Sequence, residues 1–217
     1  MNAQPTARII SVSGKAVIKT APDEFVVTVG VDTFDMSLAL AKEDNDTRMR
    51  DLLAITKEYG LEAKDVRTDD FRIEPRYEGR YVNRTFVGYD VHKRLAVVLR
   101  DADKLEAVLE DLFAHGANRL DGVTYQSSKA IEKREEARVM AVKAARHKAE
   151  AMAKELGQEL GRPLKIQENV AGGFRGMSNV NNFVSDNYSQ AGVTETMATG
   201  KIEISTRVSV EFELVEP

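Results

Sequence analysis

The residues whose chemistry could best serve catalysis or metal binding are the three histidines, the aspartate pairs Asp44/Asp46 and Asp69/Asp70, and one glycine-rich run. His92, His115 and His147 fall on a predicted strand, a predicted helix end and a long predicted helix, and none has a second histidine at ligand spacing. His115 precedes Gly116 at a helix C-terminus, where the helix dipole favours a cation, so its reading is structural. Asp44 with Asp46, and Asp69 with Asp70, could hold a metal or divide acid and base duties. The first two do not share a helix face, and the second two open a strand beside Thr68, so solvated or turn-stabilising roles fit them better. The run Ala171-Gly172-Gly173-Phe174-Arg175-Gly176 has the glycines of a phosphate-cradling loop, but Asn- and Ser-rich sequence follows where that loop requires a helix. A hydrolase built on Asp69, Asp70 or His92 would lack a triad or metal cluster to support it.

A different pattern points to binding. Arg72, Arg76, Tyr77, Arg80, Tyr81, Arg84, Phe86 and Tyr89 interleave basic and aromatic side chains over two predicted strands. Such a mixture can track a nucleic-acid backbone, or it can anchor a protein interface. The chain has 31 Lys and Arg against 35 Asp and Glu, a formal net charge of -4, which favours a protein partner over a polyanion. The expected interface therefore comprises Arg76, Tyr77, Arg80, Tyr81, Arg84 and Phe86, joined by Phe174, Phe183 and Tyr188 from a later Gly, Asn and Ser-rich arm. No catalytic residue, cofactor or metal is expected, nor is nucleic acid as a partner. The expected partner is a second copy of the chain, with an unidentified protein as another candidate. The competing binding reading is a monomeric module that grips a small ligand or peptide along the exposed hairpin.

These residues must be positioned by a stable frame, and the chain has the material for one. Its 217 residues, 42% hydrophobic and 30% charged, are those of an ordinary globule. Zero cysteines exclude disulfides and thiolate chemistry. No apolar run is long enough to span a bilayer, so membrane insertion is not expected. The first residues lack the plan of a signal peptide, and 1–7 read as a polar tail like the start of a mature exported protein.

Two β-branched runs, Ile9 to Ile18 and Phe25 to Thr33, flank Ala21-Pro22-Asp23 and read as an opening hairpin. A helix from Ser37 to about Tyr59 stops at Gly60, and strands from Val66 to Tyr77 and Val87 to Leu99 join through Glu78 to Asn83. Asp101 caps a short helix ending at His115 and Gly116, and Val123 to Tyr125 forms a brief strand. From Phe25 to Tyr125 the order is β-α-β-β-α-β, the ferredoxin-like plan with both helices on one face of an antiparallel sheet.

A long helix from Ser128 to Leu160 follows, its contact stripe made mostly of alanines from Ala137 to Ala149, and Gly161 and Pro163 are its expected stop. Such a narrow stripe allows close approach to a sheet. A strand from Leu164 to Val170, the arm over 171–195 and a strand alternating from Ile202 to Leu214 complete the chain. The length of the last strand suggests bending or membership of two sheets. The fold class is therefore α+β: antiparallel sheets with a ferredoxin-like lobe, then a long alanine-rich helix and two further long strands. The expected organisation is one domain over 8–217, with sub-lobes 8–127 and 128–217.

Several of these landmarks occur together in one known group. They are Ser13-Gly14-Lys15-Ala16, Ala21-Pro22-Asp23, Ala39 and Ala41 before Asn45, and Gly60 leading to Asp65-Val66-Arg67-Thr68. Further along come Ile73-Glu74-Pro75-Arg76-Tyr77, Gly88-Tyr89, the alanine ladder, Gly157 and the closing strand after Gly200. In this order the sequence resembles the SIMPL-domain family, which contains bacterial periplasmic immunogenic proteins and an oxidative-stress defence protein. The resemblance covers nearly the whole chain. It implies a non-enzymatic role in the bacterial envelope, homo-oligomers and a link to stress defence, with no catalytic residue set. It also implies a periplasmic location, cytoplasmic being the alternative for the sequence as it stands.

Overall fold

The computed structural model describes residues 8–79, 83–169 and 199–217. The chain divides into two compact units, one built around a four-stranded sheet and the other around a three-stranded sheet.

The four-stranded unit contains β2 (Glu24–Asp35), α1 (Leu38–Glu58), β3 (Val66–Glu78), β4 (Thr85–Leu99), α2 (Leu105–Ala114) and β5 (Arg119–Gln126). Its strands lie in the order β3-β4-β2-β5 and every pairing is antiparallel, the ferredoxin-like arrangement expected from the element order. Phe25, Val27, Val29 and Val31 on β2 and Leu95, Val97 and Leu99 on β4 point to one face. Met49, Leu52 and Ile55 of α1 and Leu105, Val108 and Leu112 of α2 close over them, so both helices cover that face. Burying each such Val, Leu or Ile side chain contributes roughly 1.5–3 kcal/mol.

Helix α1 ends where Gly60 takes φ 70°, with Leu61 N–H bonded to the Thr56 carbonyl at 3.0 Å. Ahead of α2, the Asp101 side chain accepts from Asp103 N–H at 3.1 Å.

The three-stranded unit contains β1 (Ile9–Thr20), α3 (Ala130–Glu155), β6 (Glu159–Asn169) and β7 (Ile202–Val215) in the sheet order β1-β7-β6. The opening hairpin expected from the sequence does not form. β1 pairs along its whole length with β7, from Ile9 opposite Glu213 to Thr20 opposite Ile202, while β2 lies between β4 and β5. The turn residues Ala21-Pro22-Asp23 end one strand and begin the next without bringing the two together.

Ala137, Ala141, Ala145 and Ala149 of α3 pack on Ile10, Val12 and Ala16 of β1 and on Val208, Val210 and Phe212 of β7. The helix stops earlier than expected. Gly157 takes φ 65° and Gln158 N–H bonds the Ala153 carbonyl at 2.9 Å, so Leu160 and Pro163 belong to β6 instead. Of the two expectations for the last strand, membership of two sheets is corrected: β7 is the central strand of one sheet, flanked by two partners nearly as long. Among the described residues no helix is long and apolar enough to cross a membrane.

Candidate interaction surface

Among the described residues strand β3 is an edge strand with β4 as its sole neighbour in the sheet, and the two form the hairpin that carries the basic and aromatic residues. Its register sets Phe71 opposite Lys93, Ile73 opposite Val91, Pro75 opposite Tyr89 and Tyr77 opposite Phe86. Lys93 is ion-paired with Asp46 of α1, so this row lies on the face that carries the helices. Helix α1 covers Val91 but leaves much of the row in solvent: Phe71 is 49% exposed, Ile73 39%, Tyr77 45% and Phe86 37%.

The rings order one another. Tyr77 and Phe86 meet edge-to-face with centroids 5.7 Å apart, and Phe86 meets Tyr89 at 5.1 Å. The Arg84 guanidinium lies 5.4 Å from the Tyr77 ring centre, and the Lys93 ammonium 5.0 Å from that of Phe71. Lys42, then Lys93, holds the Asp46 carboxyl below its ordinary value. The rim of the apolar row at α1 is thereby fixed by charge.

The opposite face of the same sheet is ionic. Arg76 stacks 4.4 Å from the Phe34 ring centre and donates from Nε to Asp90 at 2.8 Å, with a second bond to the other Asp90 oxygen. Next to it His92 Nδ1 lies 2.9 Å from Asp32, and Arg119 donates to Asp32 at 2.6 Å and to Asp121 at 2.7 Å. Asp121 first, then Asp32, raises the Arg119 guanidinium further above its usual range. Arg72 donates to Asp70 at 2.9 Å, and Arg94 approaches Asp69 and Asp70 at 3.9 Å each. His92, Asp32 and Arg119 stand on three neighbouring strands, so this network laces together the face of the sheet away from α1 and α2.

The structure thus brings Tyr77, Arg84 and Phe86 into one cluster and turns Arg76 to the other face. Arg80, Tyr81, Phe174, Phe183 and Tyr188 lie outside the described residues, as do the glycine-rich run and the 171–195 arm. His115 bonds the Asp111 carbonyl at 2.8 Å at the end of α2, and His147 is an exposed residue of α3. Asp44 pairs with Arg48 at 2.9 Å. Among the described residues no three His, Asp or Glu side chains gather in a way that could hold a metal ion. Sequence reasoning passed over Phe71, Ile73, Phe34 and Asp90. The first two were signalled by their alternation with Asp70, Arg72 and Glu74; the last two are joined to Arg76 only by pairing across strands.

Two α+β units, one of them ferredoxin-like and bearing an exposed aromatic edge, define the class of the molecule. The family model described as SIMPL, a protein of unknown function (DUF541), matches residues 10–212, and the chain belongs to that family. It is 25% identical over 212 residues to the uncharacterized protein YggE of Edwardsiella ictaluri, covering 97% of this chain and 88% of that protein. It is 27% identical over 173 residues to the 26 kDa periplasmic immunogenic protein of Brucella melitensis, covering 77% of this chain and 68% of that one. It is also 23% identical over 222 residues to the human interleukin-1 receptor-associated kinase 1-binding protein 1, covering 98% of this chain and 79% of that protein.

Proposed function

We propose that this chain is a non-enzymatic protein of the bacterial envelope that acts by assembling with copies of itself, with the β3–β4 hairpin as the contact surface. The observation that carries this reading is the contiguous row Phe71, Ile73, Tyr77 and Phe86, left exposed along an edge strand. A soluble chain gains by covering such a row, and mutual burial in a closed symmetric oligomer is the commonest way to do so. A periplasmic setting is supported by the Brucella relative, which is named for that compartment. Stress defence belongs to the same reading and follows from the family resemblance. Loss of the protein is then expected to increase peroxide sensitivity, and unchanged sensitivity would remove that part.

The test of assembly is absolute mass by light scattering on a sizing column at low and moderate salt. A fixed multiple of 24.1 kDa supports assembly, and a monomer at all concentrations refutes it. Replacing Tyr77, Tyr81 and Phe86 by Ser should reduce the mass while leaving the fold intact; an unchanged mass would remove the hairpin from the interface.

A second reading is favoured by the edge position of β3, which has no second strand beside it among the described residues and so offers its outer backbone groups to an added strand. Here the partner is a segment of another protein. The kinase-binding name of the human relative supports protein binding as a theme of this fold. A monomeric chain that captures an extended peptide would replace the first reading by this one.

A further inference from the structure

The segment Asp70-Phe71-Arg72-Ile73-Glu74-Pro75-Arg76 is the part of β3 that runs between its two register shifts, and it is uninterrupted by a bulge. Along one face the charges alternate: Asp70, Arg72, Glu74, Arg76. Along the other lie Phe71, Ile73 and Pro75. We propose that this segment pairs antiparallel with the same segment of a second copy, about a two-fold axis through Ile73, merging two four-stranded sheets into one continuous sheet. The inference rests on the self-assembly reading above and names the contact that it uses.

Inverting the segment about Ile73 sets Asp70 opposite Arg76 and Arg72 opposite Glu74, each pair occurring twice. No like charges meet. The other face sets Ile73 against Ile73 and Phe71 against Pro75, which covers the apolar row at the point where α1 leaves it open. Because both helix-bearing faces then lie on the same side, the two sheets continue one another.

Neighbouring registers are poorer. Inversion about Arg72 or Glu74 sets an arginine or a glutamate against itself. Inversion about Pro75 retains opposite charges but puts a residue without N–H on the axis and runs into the shift between Arg76 and Tyr77. Proline sits in a paired strand where its nitrogen faces away from the ladder, so β3 turns Pro75 to the edge away from β4. Alternation then turns the N–H and C=O of Ile73 and Phe71 the same way. Two Ile73 residues on the axis can exchange both of their bonds, and each Phe71 N–H meets a Pro75 carbonyl.

Arg72 already lies 2.9 Å from Asp70 and 3.8 Å from Glu74 within its own chain. Pairing therefore extends these contacts into a network across the axis, where a reversed charge is felt at two symmetric places.

The chain contains no cysteine, which makes the test clean. Directly opposed residues of an antiparallel pair have Cα atoms about 4.5–5.5 Å apart, within the span of a disulfide. The full chain carrying Ile73→Cys should give a covalent dimer under mild oxidation. The same chain carrying Ile166→Cys, at a more exposed site on the edge strand β6, should not. Arg72→Glu should weaken association at least about tenfold, and adding Glu74→Arg should restore it. Circular dichroism melts of each variant establish that the monomer stays folded. An oligomeric parent chain with no Ile73→Cys dimer and no effect of Arg72→Glu overturns the edge pairing while leaving assembly standing. A monomeric parent chain overturns both.

Discussion

Gly14 on β1 lies directly against the backbone of Ala141 and Ala145 on α3. A β-carbon added at position 14 would overlap the Ala141 carbonyl oxygen and stand 2.6 Å from the Ala145 nitrogen. The obstruction is main chain, which cannot rotate aside as a side chain can. Gly14→Ala should therefore force α3 away from the sheet at a cost of about 1–3 kcal/mol, and Ala141→Leu should do the same from the other side. Chemical denaturation followed by circular dichroism measures both, and a Gly14→Ala variant as stable as the parent would show that the helix yields freely.

Asn45 supplies a second test. Its side chain is fully buried on α1 and its amide donates to the Val31 carbonyl at 2.8 Å and the Val91 carbonyl at 3.1 Å. Asn45→Ala removes both donors and should cost about 2–4 kcal/mol, since two buried carbonyls lose partners. Asn45→Asp places a carboxylate against those two carbonyls. Burial raises the pKa of that new acid in the folded state above its unfolded value, so the penalty is largest above the folded pKa and shrinks as pH falls through it. Unfolding curves across the acid range should show the Asp variant approaching the parent at low pH; a constant gap would refute the assignment.

Asp65 makes the opposite pH prediction. Its buried carboxylate accepts from Arg100 at 2.8 Å, and that guanidinium holds it below its ordinary value of 3.8 against the effect of burial. A depressed folded pKa contributes stability that is present above the unfolded pKa and is lost as pH falls through the folded one. In the parent that loss is confined to pH below about 3.8. Arg100→Leu leaves burial as the larger influence on Asp65, so this variant should be less stable at neutral pH and the gap should close on acidification. Unfolding midpoints from pH 7 downward give the comparison, and a gap that widens would contradict it.

The aromatic cluster at the hairpin tip should matter little to folding. Tyr77 and Phe86 are both exposed and lie away from the core beneath α1 and α2. Replacing both by Ser should change the stability of the monomer by no more than about 1 kcal/mol. A much larger loss, seen in the thermal melt of a variant already shown to be monomeric, would make the cluster part of the folding core.

The frame was legible where local periodicity decides structure. The alternation of β7 from Ile202 to Leu214, the helical recurrence of Ala41, Met49 and Leu52, and the ferredoxin-like order can all be read from spacing, because each is imposed by a buried face. The partner of β1 could not be read this way. Ala21-Pro22-Asp23 marks a change of direction, but nothing local in Ile9–Thr20 says that its partner is Ile202–Val215, nearly the whole chain away. The end of α3 was misplaced because Leu156 and Leu160 prolong the apolar period past Gly157, where the backbone in fact turns. At the candidate surface, the rings of Tyr77, Phe86 and Tyr89 were visible as a cluster in the sequence. Phe71 and Ile73 were hidden, because a half-covered edge row looks like a buried one until the reach of α1 is known.

The pairing of β1 with β7 also sets an order of events during synthesis. Every described strand and helix of the four-stranded unit lies between Glu24 and Gln126, so these elements are all present once that stretch has left the ribosome. The three-stranded unit must wait: β1 is made first and its partner last, and until β7 emerges α3 has only half of its floor. For much of its manufacture the protein therefore carries an unzipped leading strand, Ile9–Thr20, with Ile10, Val12 and Ala16 uncovered.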